Sequence, residues 1–342
     1  MGAIQAAHVG LHFDRLLAAL EPLATVLESR FDRSADGDAS VAWSDGRVTL
    51  SAAAGESRMT LRAASEAKLA NLREAVGYYA QEAGVAARIT WQAGRPVGLP
   101  GNMMLARIMD NRQISPSFRR LRLSGDFSHF ATGAPHFRLN FGPAGADLPH
   151  CDETGTTFWP GGMAAWHRPP YTVRAMDTSC RWIDVDIVLH EGGRVTDWLS
   201  TCQVGEQVAL TGPGGKAPGV ADWIGYVGDE TAMPVIAQAL TRLSPKTRGA
   251  VRLLVPDPRD RQTLDHPDGV EIEWLTHDMG LGLSDAVMGL EVPQGCRHVF
   301  VAGERHEIDR ARTHLLAQGL SKTEFQAAAY WLAPDPAVAP AA

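Results

Sequence analysis

The feature that most limits the fold is a change of period near residue 220. Between about residues 104 and 217 the chain runs as short segments in which apolar and polar residues alternate: "RRLRLSG", "PHFRLNFGP", "PPYTVRAMD", "RWIDVDIVLH" and "GEQVALTGP". A period of two sends successive side chains to opposite faces, so each segment reads as a half-buried strand. Short strands at regular turn spacing predict a small antiparallel β-barrel. From about residue 222 the period lengthens. "WIGYVGDETAMPVIAQAL" is an apolar strand, a tight turn at Gly228 and a helix. "AVRLLVPD", "VEIEWLT", "RHVFVAGE" and "AAAYWLA" are further strands, with helical stretches such as "RHEIDRARTHLLAQG" between them. Strands alternating with helices predict a doubly wound parallel sheet covered on both faces.

Ahead of the barrel, residues 8–32 read as an amphipathic helix, because Leu16, Leu17, Leu20, Leu23 and Leu27 recur at three- and four-residue steps. "ASVAWS" and "GRVTLSAA" are alternating runs joined by Ser44-Asp45-Gly46, a hairpin signal. "SRMTLRAAS" adds a third strand and "SEAKLANLREAVGYYAQEAG" a second helix ending at Gly84. The prediction is therefore multi-domain α+β and α/β. A small α-β-β-β-α domain of unknown role spans 1–92, a Gly/Pro-rich linker 93–103, and the antiparallel barrel 104–217. The parallel-sheet domain spans 218–334, and 335–342 form a flexible tail.

Composition excludes some functions. The net charge is −7, which argues against nucleic acid, whose phosphates need a basic face. The 32 Lys+Arg residues are nearly all Arg, the residue suited to clamping phosphates and carboxylates. No apolar run approaches the roughly 20 residues that cross a bilayer, so no membrane insertion is expected. The amino terminus lacks the basic start of a signal peptide. The four cysteines, Cys151, Cys180, Cys202 and Cys296, are scattered, which fits a reduced, cytoplasmic protein. His150, Cys151 and Asp152 are ligand-type neighbours, but no second cluster at metal spacing exists, so no metal site is expected.

Three motifs carry chemistry. In "YTVR", Tyr171 and Val173 would share one face of a strand and Thr172 and Arg174 the other. An aromatic ring beside a hydroxyl suits a planar, nitrogen-rich ring, and an arginine suits a pyrophosphate. Tyr and Thr also simply favour strands. In "VDIVLHEGGRVTDWLSTC" a strand runs into Gly192-Gly193 and a helix begins near Thr196. Its first amides make a phosphate seat, unless Thr196 is an ordinary cap. Gly212-Pro213-Gly214-Gly215 then closes the barrel and places Lys216 at its mouth. In "GDETAMP", Gly228, Asp229 and Thr231 link strand to helix at the sheet's carboxyl edge, where ligands collect, and Gly303-Glu304 ends a later strand at the same edge.

Arg-x-x-Tyr-Thr, then Gly-x-x-Thr, then Gly-Pro-x-Gly resembles the flavin half of the siderophore-interacting proteins, ferric-siderophore reductases of the ferredoxin-NADP reductase superfamily. "GDETAMPVI", "VFVAGE" and "AYW" resemble that family's second half, and the likeness runs over residues 104–332. The first ninety residues resemble a small uncharacterised domain fused ahead of such proteins.

The resemblance implies FAD and a nicotinamide, NADPH or NADH, as cofactors. Tyr171 would stack on the isoalloxazine and Thr172 would bond near its N5; these two are the expected catalytic residues. Val173 and Arg174 would line the same cofactor. Gly193, Val195 and Thr196 would hold the pyrophosphate, with His190 beside it and Gly212 and Gly215 at the barrel turn. Gly228, Asp229, Thr231, Gly303 and Glu304 would meet the nicotinamide. Arg168 would reach the FAD phosphate only if Pro169 and Pro170 bulge, because the family's arginine lies one residue nearer the tyrosine and a one-residue slip turns a side chain over. Lys216 would contact substrate.

The implied activity is an NAD(P)H:ferric-siderophore oxidoreductase that reduces chelated Fe(III) and releases iron in the cytoplasm. The partner would be a ferric siderophore or another Fe(III) chelate, and the protein a monomer or small oligomer. Relatives often continue "YW" with basic residues where this chain has Leu332-Ala333-Pro334, which leaves a neutral chelate open. Asp257 would favour NADH and Arg259 and Arg261 NADPH. The alternatives are a general NAD(P)H-flavin reductase or electron-transfer flavoprotein, and a non-catalytic ferric-siderophore-binding protein.

Overall fold

The computed structural model describes residues 3–27, 29–92, 98–132, 134–151 and 157–333. Asp152, Pro334, residues 93–97 of the expected linker and the tail 335–342 lie outside them. The chain divides into two units. One holds the chain up to Ala106, Gly125–Pro170 and Gln207–Lys216; the other holds Arg107–Ser124, Tyr171–Glu206 and the chain from Ala217 onward.

The amino-terminal part of the first unit contains β1 (Ala3–Val9), α1 (Phe13–Val26), β2 (Asp32–Arg33), β3 (Ala39–Trp43), β4 (Gly46–Ala53), β5 (Glu56–Ala63), α2 (Glu66–Glu82) and β6 (Ile89–Trp91). Its sheet runs in the order β2-β3-β4-β5-β1-β6. Val48, Leu50, Met59 and Leu61 alternate inward and pack with Leu16 and Leu20 of α1 and Leu69, Leu72 and Val76 of α2. Ser65 caps α2 by accepting from the Lys68 N–H, and Gly84 leaves it at φ +67°. The expected helix over 8–32 is corrected to 13–26, because residues 3–9 are a strand paired on both sides. "AIQAAHV" has little strand propensity; the hydrogen bonds of β5 and β6 impose the conformation.

The antiparallel strands are β7 (Met103–Ser115), β8 (Phe118–Ser124), β9 (His136–Asn140), β10 (His150–Cys151), β11 (Thr157–Phe158), β12 (Pro170–Thr172), β13 (Ala175–Met176), β14 (Trp182–Val188) and β15 (Gln207–Gly214), with α3 (Arg194–Thr201) after β14. In the first unit β9 pairs with β15. In the second, β8 pairs with both β7 and β14, and β14 pairs with β13. Strand β7 was absent from the expected set. Its register shifts twice against β8, and each irregularity interrupts the period of two that a sequence reading depends on.

The rest of the second unit is a parallel sheet of β16 (Trp223–Gly228), β17 (Arg248–Val255), β18 (Val270–Thr276), β19 (Arg297–Glu304) and β20 (Phe325–Trp331), in the order β18-β17-β16-β19-β20. Its helices are α4 (Met233–Leu240), α5 (Leu283–Met288) and α6 (Arg305–Ala317). Two cores confirm coverage of both faces. Tyr226, Val251, Leu253 and Phe300 pack with α4; Val227, Val299 and Val301 pack with α5 and α6. Strand order reverses at β16, flanked by β17 and β19, which opens a crevice at its carboxyl end.

Candidate flavin site

In the second unit, β12 ends at Thr172 and β13 starts at Ala175, so the tetrapeptide Tyr171–Arg174 is kinked. The expected alternation of faces is corrected: Thr172 and Val173 are both buried, at 5% and 2% exposure, while Tyr171 and Arg174 are partly open. The kink has visible causes. The Arg174 N–H donates to the Asp184 carbonyl at 2.8 Å. The Val173 carbonyl turns to a side chain instead of a strand, accepting from Gln238 Nε2 on α4 at 2.8 Å. Gln238 lay outside the sequence expectations. Burial pushes the Tyr171 phenol far above its ordinary range, so it stays neutral.

Arg174 belongs to a charge ladder that the sequence did not reveal. Arg120 faces Asp186 and Arg122 faces Asp184 directly across β8 and β14. Both pairs are bidentate, at 2.6 and 2.8 Å for the first and 2.7 and 2.7 Å for the second. Arg122 also lies over the Trp182 ring, 4.0 Å from its centroid. The Asp186 side chain is 1% exposed, and Arg174 Nε approaches it at 3.6 Å without bonding. Burial outweighs the opposing pull of Asp186 and lowers the Arg174 guanidinium below its ordinary value. The only visible signal was the spacing: arginines two apart in "RRLRLSG" and aspartates two apart in "WIDVDIV".

The residues fit a flavin. Arg174 Nε, a donor, and Gln238 Oε1, an acceptor, are buried without a hydrogen-bond partner. They flank the same kink, and an isoalloxazine edge presents both acceptors and donors. Leaving such groups unpaired costs about 1–3 kcal/mol each, so a ligand that satisfies both is favoured here.

Helix α3 starts two residues earlier than expected. Gly193 is the residue capping α3, and Arg194 is its first helical residue; Val195 and Thr196 follow, so their amides are among the orphan donors of the first turn. Thr196 is not the cap. Its hydroxyl accepts from the His190 N–H at 3.3 Å and ties the loop down. The His190 ring packs against Gly193 so closely that a Cβ there would meet it at 2.5 Å.

At the parallel sheet's edge, Asp229 joins three segments. It accepts from Thr231 N–H and Oγ1 at 2.9 and 2.5 Å, from Ala232 N–H at 3.3 Å, and from the Trp331 indole at 2.7 Å. Burial nevertheless raises its carboxyl above the ordinary range. Gly303 has φ +155°, and a Cβ there would collide with the Asp229 carboxylate and with Leu283, so only glycine fits. Glu304 caps α6, accepting from His306 and Glu307 amides at 2.6 and 3.1 Å and from Ala333 at 3.2 Å. Burial raises it, but those three amides hold it below its ordinary value. Asp229 and Glu304 are thus engaged in holding the crevice together, while Gly228 and Thr231 line its strand–helix corner. Gly228 has no room for a side chain, since a Cβ would meet Ala232 and Ile236 at 2.7 and 2.8 Å.

The remaining expected residues lie in the first unit. Arg168 is held by the Glu74 carboxylate, donates Nε to Asn140 Oδ1 at 3.2 Å, and stacks over Trp159 at 4.2 Å from the ring centroid. Gly212 is packed against Phe137, and Gly215 lies at φ +73° beside His136. Lys216 is exposed. Among the described residues no group of His, Cys, Asp and Glu could hold a metal ion, and no helix is long and apolar enough to cross a membrane.

Comparisons agree with this geometry. The profile of the siderophore-interacting FAD-binding domain matches residues 107–217, and that of the siderophore-interacting protein matches 221–333. Ferric vibriobactin reductase ViuB of Vibrio cholerae is 34% identical over 185 residues, 50% of this chain and 68% of that one. The NADPH-dependent ferric-chelate reductase of Escherichia coli K12 is 28% identical over 64% of this chain and 89% of its own. The crystal structure of a siderophore utilization protein from T. fusca superposes with a TM-score of 0.59 at 27% identity, covering 71% of this chain and 95% of that one. An FAD-binding antiparallel domain followed by a parallel-sheet domain, matched by both profiles and by these relatives, makes the chain a member of the siderophore-interacting protein family.

Proposed function

We propose that this chain is an FAD-dependent NAD(P)H:ferric-siderophore oxidoreductase that reduces chelated Fe(III) and so releases iron inside the cell. The observation that carries the reading is the kink at Tyr171–Arg174, with Arg174 Nε and Gln238 Oε1 buried and unpartnered on either side. Tyr171 and Thr172 orient the ring. Val173 fixes the kink through Gln238, and Arg174 faces the ring edge or phosphate beside Asp186, which Arg120 holds in place. The amides of Gly193, Val195 and Thr196 seat the pyrophosphate beside His190, and the nicotinamide enters the crevice at the carboxyl end of β16, which Gly228, Thr231 and Gly303 border. The flavin, when bound, supplies the conversion of a two-electron hydride into single electrons for Fe(III). No general acid is needed, in keeping with a neutral Tyr171.

The reductases of Vibrio cholerae and Escherichia coli named above support the substrate class. The donor is NADPH in our reading. Asp257 accepts from the Arg259 amide and guanidinium, which hold its carboxyl down to about 2. An acid so engaged is not free to accept from a ribose hydroxyl, and exposed Arg261 remains for a 2′-phosphate. Lys216 supplies positive charge to an anionic chelate. The test is to add FAD to purified protein, record the visible spectrum, and titrate without air with NADPH or NADH before adding ferric siderophore. Flavin uptake, bleaching by NADPH and reoxidation by the ferric chelate are expected. A protein that takes up no FAD would overturn the reading.

A further inference from the structure

Neither family profile covers the amino-terminal domain, which ends before residue 107, yet one face of its helix α2 reaches two segments of the flavin domain. Asn71 and Glu74 lie three residues apart and so project from the same side of the helix, away from Leu72 and Val76 in the core. Asn71 Nδ2 donates to the Pro213 carbonyl at 2.8 Å. Asn102 Nδ2 donates to Asn71 Oδ1 at 2.9 Å and to Glu74 Oε2 at 3.0 Å, and its carbonyl accepts from the Gly212 N–H at 2.8 Å. The other Glu74 oxygen takes Arg168. Arg168 continues the chain of bonds to Asn140, whose Oδ1 also accepts from Thr211 at 3.3 Å.

This network is built rather than incidental. Asn102, Asn140 and Thr211 are 3%, 9% and 4% exposed, and the Arg168 and Glu74 side chains 13% and 19%. A surface pair such as Arg30–Asp32, at 88% and 74%, contributes little. Losing one partner of a largely buried pair instead leaves the other charge uncompensated and is strongly destabilising. A second guanidinium sharpens the need for Glu74. Arg138 donates to the Arg168 carbonyl at 2.7 Å, and Arg168 opposes its charge while Glu74 favours it.

The places gripped matter as much as the grip. Arg168 lies three residues before Tyr171, and the next carbonyl, Pro169, accepts from the Leu139 N–H at 3.2 Å as the chain turns into β12. Pro213 lies in β15, whose pairing with β9 shifts register between Thr211 and Gly214. We propose that Glu74, with Asn71, is a positioning element of the flavin site: acting through Arg168, the amino-terminal domain sets residues 168–170, the segment that leads into Tyr171-Thr172, and acting through Pro213 it holds the end of β15. The proposal rests on the flavin placement given above. It makes Arg168 a strut for the site, and it gives residues 3–92 a task that requires no chemistry of their own.

The test uses the full chain and measures FAD affinity and the flavin's visible absorption and circular dichroism well below the melting temperature. Glu74→Gln should raise the FAD Kd about tenfold and alter the band shape. Glu74→Asp, which keeps the charge but falls short of Arg168, should do so less, and it decides the matter if Glu74→Gln does not fold. Glu74→Gln/Arg168→Gln should bind FAD no more weakly than Glu74→Gln alone, because the second change removes a contact that the first has already broken. Tyr171→Ala serves as the control for placement. If Tyr171→Ala perturbs the flavin while both Glu74 variants bind within twofold of the parent with unchanged spectra, Glu74 is only a structural contact and the proposal fails. A double variant weaker than Glu74→Gln by the full effect of Arg168→Gln would show that the two act independently and that the effect does not pass through Arg168, and the proposal would fail on that result too. If Tyr171→Ala is itself silent, the flavin placement fails and this inference with it.

Discussion

Arg168 and Arg174 stand on either side of Tyr171-Thr172, and each meets a buried carboxylate, but the two environments differ in kind. Around Arg168 the bonds close: Glu74, Asn140 and the Trp159 ring take the guanidinium. Around Arg174 they do not. Asp186 is already held bidentately by Arg120, and Arg174 Nε is left buried without an acceptor. A satisfied network rigidifies a fold, whereas an unsatisfied donor beside a kink is a place prepared for something else. The Arg168 guanidinium is thereby part of the scaffold.

The sharpest way to break this contrast is Asp186→Asn. With its side chain 1% exposed, the change leaves Arg120 and Arg174 without their shared anion. Unfolding by denaturant should show a loss of about 3–5 kcal/mol, with FAD binding lost as well; a loss below about 1 kcal/mol would mean that the ladder is incidental.

Next comes a matched pair of variants, Arg174→Gln and Arg168→Gln. Arg174→Gln leaves Asp186 paired with Arg120, so the apo protein should change by less than about 1 kcal/mol while the FAD Kd rises tenfold or more. Arg168→Gln strands Glu74, and apo stability should fall by about 3 kcal/mol. The opposite ranking in denaturation would exchange the two roles.

The smallest effect concerns Glu230, whose carboxyl is pushed up to about 7 by burial and then by the charges of Asp229 and Asp260. Its Oε2 has no hydrogen-bond partner. A carboxyl raised in the folded state binds a proton that the unfolded chain releases near its ordinary value, so the folded protein is favoured at low pH and loses that advantage as pH climbs through about 7. Glu230→Gln should therefore match the parent near pH 4.5 and exceed it by on the order of 2 kcal/mol at pH 8. Equal stability at both pH values would mean that Glu230 is not desolvated.

How much was legible follows from where the determining contacts lie. Strands β16, β17 and β19 were readable because each is a largely buried apolar run, and the edge strands β18 and β20 because a loop or a helical period precedes each. The hairpin at Ser44-Asp45 was readable because turn chemistry is local. The helix cap at Gly193 was placed three residues late, at Thr196, a preferred cap residue that accepts from the His190 N–H instead. Strand β1 was hidden because "AIQAAHV" carries no strand preference and its hydrogen bonds come from residues 56–63 and 89–91.

The sequence by itself determined the order of architectures, the Tyr171–Arg174 motif and the family to which it points, because periodicity and short motifs depend on neighbours along the chain. Only the tertiary structure decided which groups hold that motif. Gln238 reaches Val173 across 65 residues, Asp186 reaches Arg120 across 66, and Glu74 reaches Arg168 across 94. A buried charge must be matched by whatever the fold brings against it, and no local pattern records that partner.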